Sequence, residues 1–268
     1  MYDKQTILGQ LSEMNAPQGG VVLVHTSMRA VGPVEGGAEG LLDALIEYFT
    51  AEDGLLCIPT HTWKARPNPE NIRLDLKANE TCIGILPTIA AGDPRGFRTA
   101  HPTHSMAVFG RKERVVEYTE GEDCRTTPAS PLGCYGKLYT LGGKILLIGV
   151  GHNSDTYLHS VEEMLDVPNR LSVEPRELLV RYRTGEIVTR RVHSHRAEGI
   201  RDVSAHYPKY EPAFRLHGAI TDGWIGNAPT QLCDARKMHD VLALVRERSG
   251  GTELLADDAP LDEALYRI

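Results

Sequence analysis

The feature that most constrains this chain is the order of three short apolar runs. Val21-Val22-Leu23-Val24, Leu55-Leu56-Cys57-Ile58 and Ile145-Leu146-Leu147-Ile148 each hold four residues with no charge. Runs of this length read as buried strands, and they are far too short to cross a bilayer. Between the first two, Gly32–Gly37 reads as a loop and Ala38–Thr50 as a helix with Leu41, Leu42, Leu45, Ile46 and Phe49 on one face. Strand, loop, helix and strand in that order form a crossover between parallel strands. The expected fold is therefore α/β: one domain over residues 1–268, with a central, mainly parallel sheet flanked by helices.

Other segments extend that core. Residues 4–15 follow a possible Asp3 cap with Ile7, Leu8, Leu11 and Met14 at helical spacing, and Ala16-Pro17-Gln18-Gly19-Gly20 ends them. Ile83–Ala91 reads as helix, Met106–Phe109 as extended, and Lys144–Val150 as a central strand leading through Gly151 toward a helix at Thr156–Leu165. Alternating segments on either side of Thr184-Gly185 predict an inserted hairpin over Glu177–Val192. Ala235–Arg248 is a long amphipathic helix whose apolar face packs internally or against a partner, such as a second copy in a homodimer. The polar stretch Pro59–Glu80, with Pro67 and Pro69, is too long for a plain connector and is a candidate substrate loop.

Composition narrows the function classes. The net charge of -7 provides no basic face for nucleic acid. Five cysteines with no C-x-x-C pair fit neither a disulfide framework nor a zinc knuckle. The N-terminus has no basic stretch leading into an apolar one, so a cytoplasmic protein with reduced thiols and no membrane span is expected.

Three polar segments carry candidate chemistry. His25-Thr26-Ser27-Met28-Arg29-Ala30-Val31-Gly32 sits where an open α/β sheet places its ligands, at the end of a strand. Its hydroxyls, Arg29 and backbone N–H groups suit phosphate oxygens, while the plainer alternative is a turn that caps a helix. His101-Pro102-Thr103-His104-Ser105 is a polar turn feeding a strand, and its spacing differs from the helical pair of a zinc site. In Gly149–Glu163, Asp155 and Thr156 can cap a helix on which His159 and Glu162 share a face. A carboxylate beside an imidazole can fix its tautomer and ready it as a general base; the alternative is a surface ion pair. No G-x-S-x-G elbow supports a serine hydrolase. His193-Ser194-His195, at the end of the hairpin, either lines a pocket or, as the plainer reading, is solvated.

Taken in order, His25-Thr26-Ser27-Met28-Arg29, His101–Ser105, Ser130-Pro131-Leu132-Gly133, and Gly149-Val150-Gly151-His152 with His159 and Glu162 resemble the aminoglycoside 3-N-acetyltransferase family. The resemblance implies that family's own α/β fold, distinct from the common acetyltransferase fold. It implies acetyl-coenzyme A as co-substrate, no metal, and a cationic amine as acceptor, namely the 3-amino group of a 2-deoxystreptamine ring. Thr26, Ser27, Met28, Arg29, Ala30, Val31 and Gly32 would hold the coenzyme pyrophosphate, with Ser105 near the thioester. His159 would be the general base oriented by Glu162, and Asp75, His101 and Asp155 would contact the acceptor. Asn79-Glu80-Thr81 departs from the family's usual threonine, proline and serine, which leaves a different small amine open as acceptor. A metal-dependent hydrolase and a non-catalytic binder of polycations are the competing classes.

Overall fold

A computed structural model describes residues 1–64, 68–252, 254–255 and 259–267. Its strands are β1 (Val21–Thr26), β2 (Leu55–Pro59), β3 (Ile72–Asp75), β4 (Phe97–Arg98), β5 (Met106–Phe109), β6 (Lys144–Ile148), β7 (Arg176–Arg181), β8 (Ile187–Val192), β9 (Ile220–Ile225) and β10 (Ala228–Asp234). Its α-helices are α1 (Lys4–Glu13), α2 (Met28–Val31), α3 (Gly37–Phe49), α4 (Ile85–Gly92), α5 (Lys112–Thr119), α6 (Cys134–Leu141), α7 (Thr156–Met164), α8 (Glu211–Leu216) and α9 (Ala235–Arg248).

The three apolar runs form the centre of a seven-stranded sheet ordered β4-β5-β2-β1-β6-β10-β9. β1 pairs in parallel with β2 and β6, so Leu23 lies between Cys57 and Ile145. Antiparallel strands extend both edges. Val22, Val24, Leu56, Ile58, Leu146 and Ile148 pack on α1 and α3 through Ile7, Leu11, Leu41, Leu42, Leu45 and Phe49. Val21, Leu23, Leu55, Cys57, Ile145 and Leu147 pack on the opposite layer of α6, α7 and α9. Burial on both faces explains why these strands read as continuous apolar runs and not as alternation.

The apolar face of α9, with Met238, Val241, Leu242 and Val245, closes that second core, so it packs internally. Side-chain caps from aspartates fix the starts of α1, α7 and α9: Asp3 accepts from Thr6 N, Asp155 from Tyr157 N and Asp234 from Lys237 N. The hairpin turns at Gly185, with φ of 97°, and joins a second sheet ordered β3-β7-β8. The Pro59–Glu80 stretch is thus only partly loop. Its Leu74 joins a small core with Val180 and Ala100, and β3 pairs with β7. Pro67 lies outside the described residues.

The C-terminal ends of β1 and β6 are locked together beneath the site. Gly149 has φ of 64°, and a Cβ there would lie 2.4 Å from the Ala30 Cβ in α2. Left-handed backbone and the missing space together demand glycine. Gly149→Ala is expected to lower unfolding stability by about 2–4 kcal/mol, from backbone strain plus overpacking. An unchanged denaturant midpoint would contradict this packing.

Candidate active site

A cavity of about 920 Å³ opens where β1, β2 and β6 end, between the main sheet and the second, smaller one. Val24, His25 and Thr26 reach it from β1, Ile58 and Pro59 from β2, and Val150 follows β6. This is the crevice at the carboxyl ends of parallel strands where α/β proteins bind ligands. The start of α7 and residues 194–204 form its opposite side.

His159 lines this cavity from α7, and its Nδ1 lies 2.6 Å from the Tyr207 hydroxyl and 3.5 Å from Glu162 Oε2. The direction of these bonds follows from the charges. Burial alone would raise the pKa of Glu162, but hydrogen bonding and charge from His159, with Arg170 and Tyr207, hold it below the ordinary value. Burial and the Glu162 charge push Tyr207 well above its ordinary value. An ionised Glu162 accepts only, so the Tyr207 O–H donates to Oε2 at 2.6 Å and its oxygen is left to accept from His159 Nδ1–H. In the neutral imidazole Nε2 then carries the lone pair, and it has no hydrogen-bond partner among the described residues. Arg170 Nε donates to Glu162 Oε1 at 2.6 Å, so both carboxylate oxygens are satisfied and the ion pair is buried.

His159 is one of a row of imidazoles. His195 stacks on it with centroids 4.0 Å apart and planes at 24°, His104 follows at 5.2 Å and His61 at 4.4 Å. His195 lines the cavity and lies 3.4 Å from Glu163 Oε1, contrary to the plainer, solvated reading. The hairpin's end folds back over α7, which the local sequence does not encode. His61 meets the Tyr135 hydroxyl at 2.8 Å. Burial, reinforced by neighbouring imidazoles, holds His61, His104 and His195 well below their ordinary pKa, so these three rings are neutral beside His159. Tyr207, Arg170 and His61 carry no signal in the sequence spacing.

The other expected site residues divide into those at the cavity and those behind it. Asp155 lines the cavity; its Oδ1 accepts from Tyr157 N, while the buried Oδ2 has no hydrogen-bond partner. Thr26 lines it too, and its buried hydroxyl is likewise unpartnered. Ser27–Gly32 lie off the cavity wall. Ser27 Oγ caps α2 by accepting from Ala30 N at 3.3 Å, Val31 is buried, Met28 and Ala30 pack on the core, Arg29 is exposed, and Gly32 abuts Asn227. Ser105 is fully buried and donates to Thr60 O at 2.8 Å, beside Arg98. His101 is also fully buried, with Nδ1 accepting from His104 N at 3.0 Å. Asp75, at the end of β3, is engaged by Arg181 at 3.1 Å and by Lys77 N.

Buried neutral histidines make the fold acid-sensitive. Burial lowers His101 from 6.5 to about 4. Between those values the unfolded chain binds a proton that the fold refuses, so stability is retained above pH 6.5 and lost as pH falls toward 4. Each such imidazole contributes a slope of up to about 1.4 kcal/mol per pH unit. His101→Asn, which keeps an acceptor, is expected to flatten the loss of stability across that window; a slope unchanged from the parent would contradict it.

A family model described as aminoglycoside 3-N-acetyltransferase matches residues 23–245. Aminoglycoside N(3)-acetyltransferase VII of Streptomyces paromomycinus is 30% identical over 266 residues, covering 90% of each chain. The solved structure of AAC-IIIb binary with CoASH superposes with a TM-score of 0.76 at 20% identity, over 92% of this chain and 97% of that one. The structure of AAC-VIa bound to sisomicin superposes with a TM-score of 0.69 at 24% identity, over 89% and 95%. With its matching motifs, its α/β fold and a family match across most of its length, this chain belongs to the aminoglycoside 3-N-acetyltransferase family.

Proposed function

We propose that this protein transfers the acetyl group of acetyl-coenzyme A directly to a primary amine bound beside it, with His159 as general base. The observation that carries the reading is the bond order Arg170–Glu162–Tyr207–His159, which leaves the Nε2 lone pair of a cavity-lining imidazole free. His159 takes a proton from the acceptor amine as its nitrogen forms a bond to the thioester carbonyl carbon. The C–S bond then breaks, and the coenzyme thiolate takes up the proton that His159 removed from the amine, which returns the imidazole to its neutral form. Asp155 Oδ2, buried behind the cavity wall 3.8 Å from His152 Nδ1 and without a hydrogen-bond partner, adds negative charge on the side of the cavity where the amine would sit. Bringing two reactants together in one cavity supplies much of the rate gain, so no covalent acyl-enzyme is required.

By family, the first acceptor to try is the 3-amino group of a 2-deoxystreptamine aminoglycoside, and acetylation there would remove a charge the antibiotic needs. The second reading, a different small amine, is favoured by the charge of the cavity lining: Asp75 lies off it and is held by Arg181, whereas Arg73 and Arg176 line it.

Thiol release from acetyl-coenzyme A, measured with whichever amine supports the fastest wild-type rate, tests the mechanism. His159→Ala is expected to lower kcat by roughly 10²–10⁴ while coenzyme affinity stays within a few-fold. Near-normal turnover would remove His159 from the reaction. Tyr207→Phe keeps the ring but breaks the link to Glu162, and a loss of about tenfold is expected because the imidazole is less firmly held in one tautomer. A Tyr207→Phe enzyme with parental kcat would show that the link has no role in turnover.

A further inference from the structure

The whole chain is acidic, yet its cavity is not. Lys64, Arg73, Arg176, Arg196 and Arg201 line it, and among the described residues none has a carboxylate within ion-pairing distance. The carboxylates on the same lining are Asp155, buried as a helix cap, and Asp202, which accepts from Ser204 N and its hydroxyl. Arg73 rises from β3 and Arg176 from the start of β7, strands that pair in the second sheet. Both guanidinium groups line the cavity, and burial lowers the pKa of Arg73, with the charge of Arg176 lowering it further. Arg73 Nη1 donates to Trp63 O at 3.1 Å, and the Trp63 ring is about half exposed (51%) on the same wall. Asp75, on the same strand, cannot offset them, because Arg181 spans it and Glu70.

Such a wall repels a ligand carrying several ammonium groups and attracts an oxyanion. Arginine forks match the two oxygens of a carboxylate or phosphate, and an exposed indole offers a face for an adjacent ring. We propose that the Arg73–Arg176 wall is an oxyanion subsite, and that the natural acceptor is an amine that also carries a carboxylate or phosphate. This rests on the transfer reading above for the role of the amine. The amine faces His159, and the anionic group faces the small sheet.

The test is calorimetric titration of the CoASH-saturated protein with three amino sugars that share one ring and one amine: glucosamine, glucosamine 6-phosphate and muramic acid, with gentamicin as the polycation. The expected result is that at least one anionic sugar binds tenfold or more tightly than glucosamine and gentamicin, and that added salt weakens it. The phosphate and carboxylate arms distinguish the two oxyanions. Arg176→Gln is expected to abolish the preference and Arg176→Glu to reverse it, with CoASH affinity within about twofold. Equal affinities across the sugars, tighter gentamicin, or an Arg176→Gln effect on CoASH in place of the sugars would each overturn the proposal. Thiol release with the same compounds is a separate readout: oxyanion-dependent binding without turnover would count against the transfer reading and leave the subsite standing.

Discussion

The site depends on one buried carboxylate. Glu162 is 3% exposed, and removing its charge from water costs several kcal/mol unless its oxygens are satisfied. Arg170 from the loop after α7 satisfies one oxygen and Tyr207, from the short 3-10 helix over residues 203–210, satisfies the other. Those bonds hold two distant segments against α7, and the Tyr207 oxygen then orients His159. The position and tautomer of the His159 ring thus follow from a single charge that the fold is obliged to neutralise. The same logic applies to the neutral imidazoles beside it, which cannot all be charged within ring-stacking distance of one another.

Most of the main sheet was legible because its three central strands are buried on both faces and so appear as uninterrupted apolar runs. Helices α3, α7 and α9 were legible from their apolar stripes, with α9 found at its observed ends. β9 and β10 were not recognised, since Ile220, Thr221 and Asp222 alternate weakly and Pro229 interrupts the pattern. β3 was hidden in a polar stretch because its stability comes from pairing with β7, over a hundred residues away.

Within the site, sequence spacing brought out His159, Glu162 and Asp155 because they share one helix and its cap. Tyr207, Arg170, His61 and His195 come from four other places in the chain, and only tertiary folding brings them to α7. Ser105 shows the opposite case: a hydroxyl in a motif, adjacent to the cavity-lining His104, whose side chain is turned inward to Thr60 and Arg98. Ser27–Gly32 likewise occupy the expected strand end, but their side chains cap and pack α2. The cationic lining was invisible in the net charge of -7, because charge summed over a chain says nothing of where a cavity collects it.

The most direct test of the account is the tautomer of His159 itself. Two-bond nitrogen–proton correlation spectra of the ¹⁵N-histidine-labelled protein, with His159 assigned by its absence in His159→Asn, report which ring nitrogen carries the proton. The account predicts that the neutral imidazole is protonated on Nδ1 and bare on Nε2. A proton on Nε2 would leave no base facing the cavity and would contradict the order of bonds from which the mechanism is built.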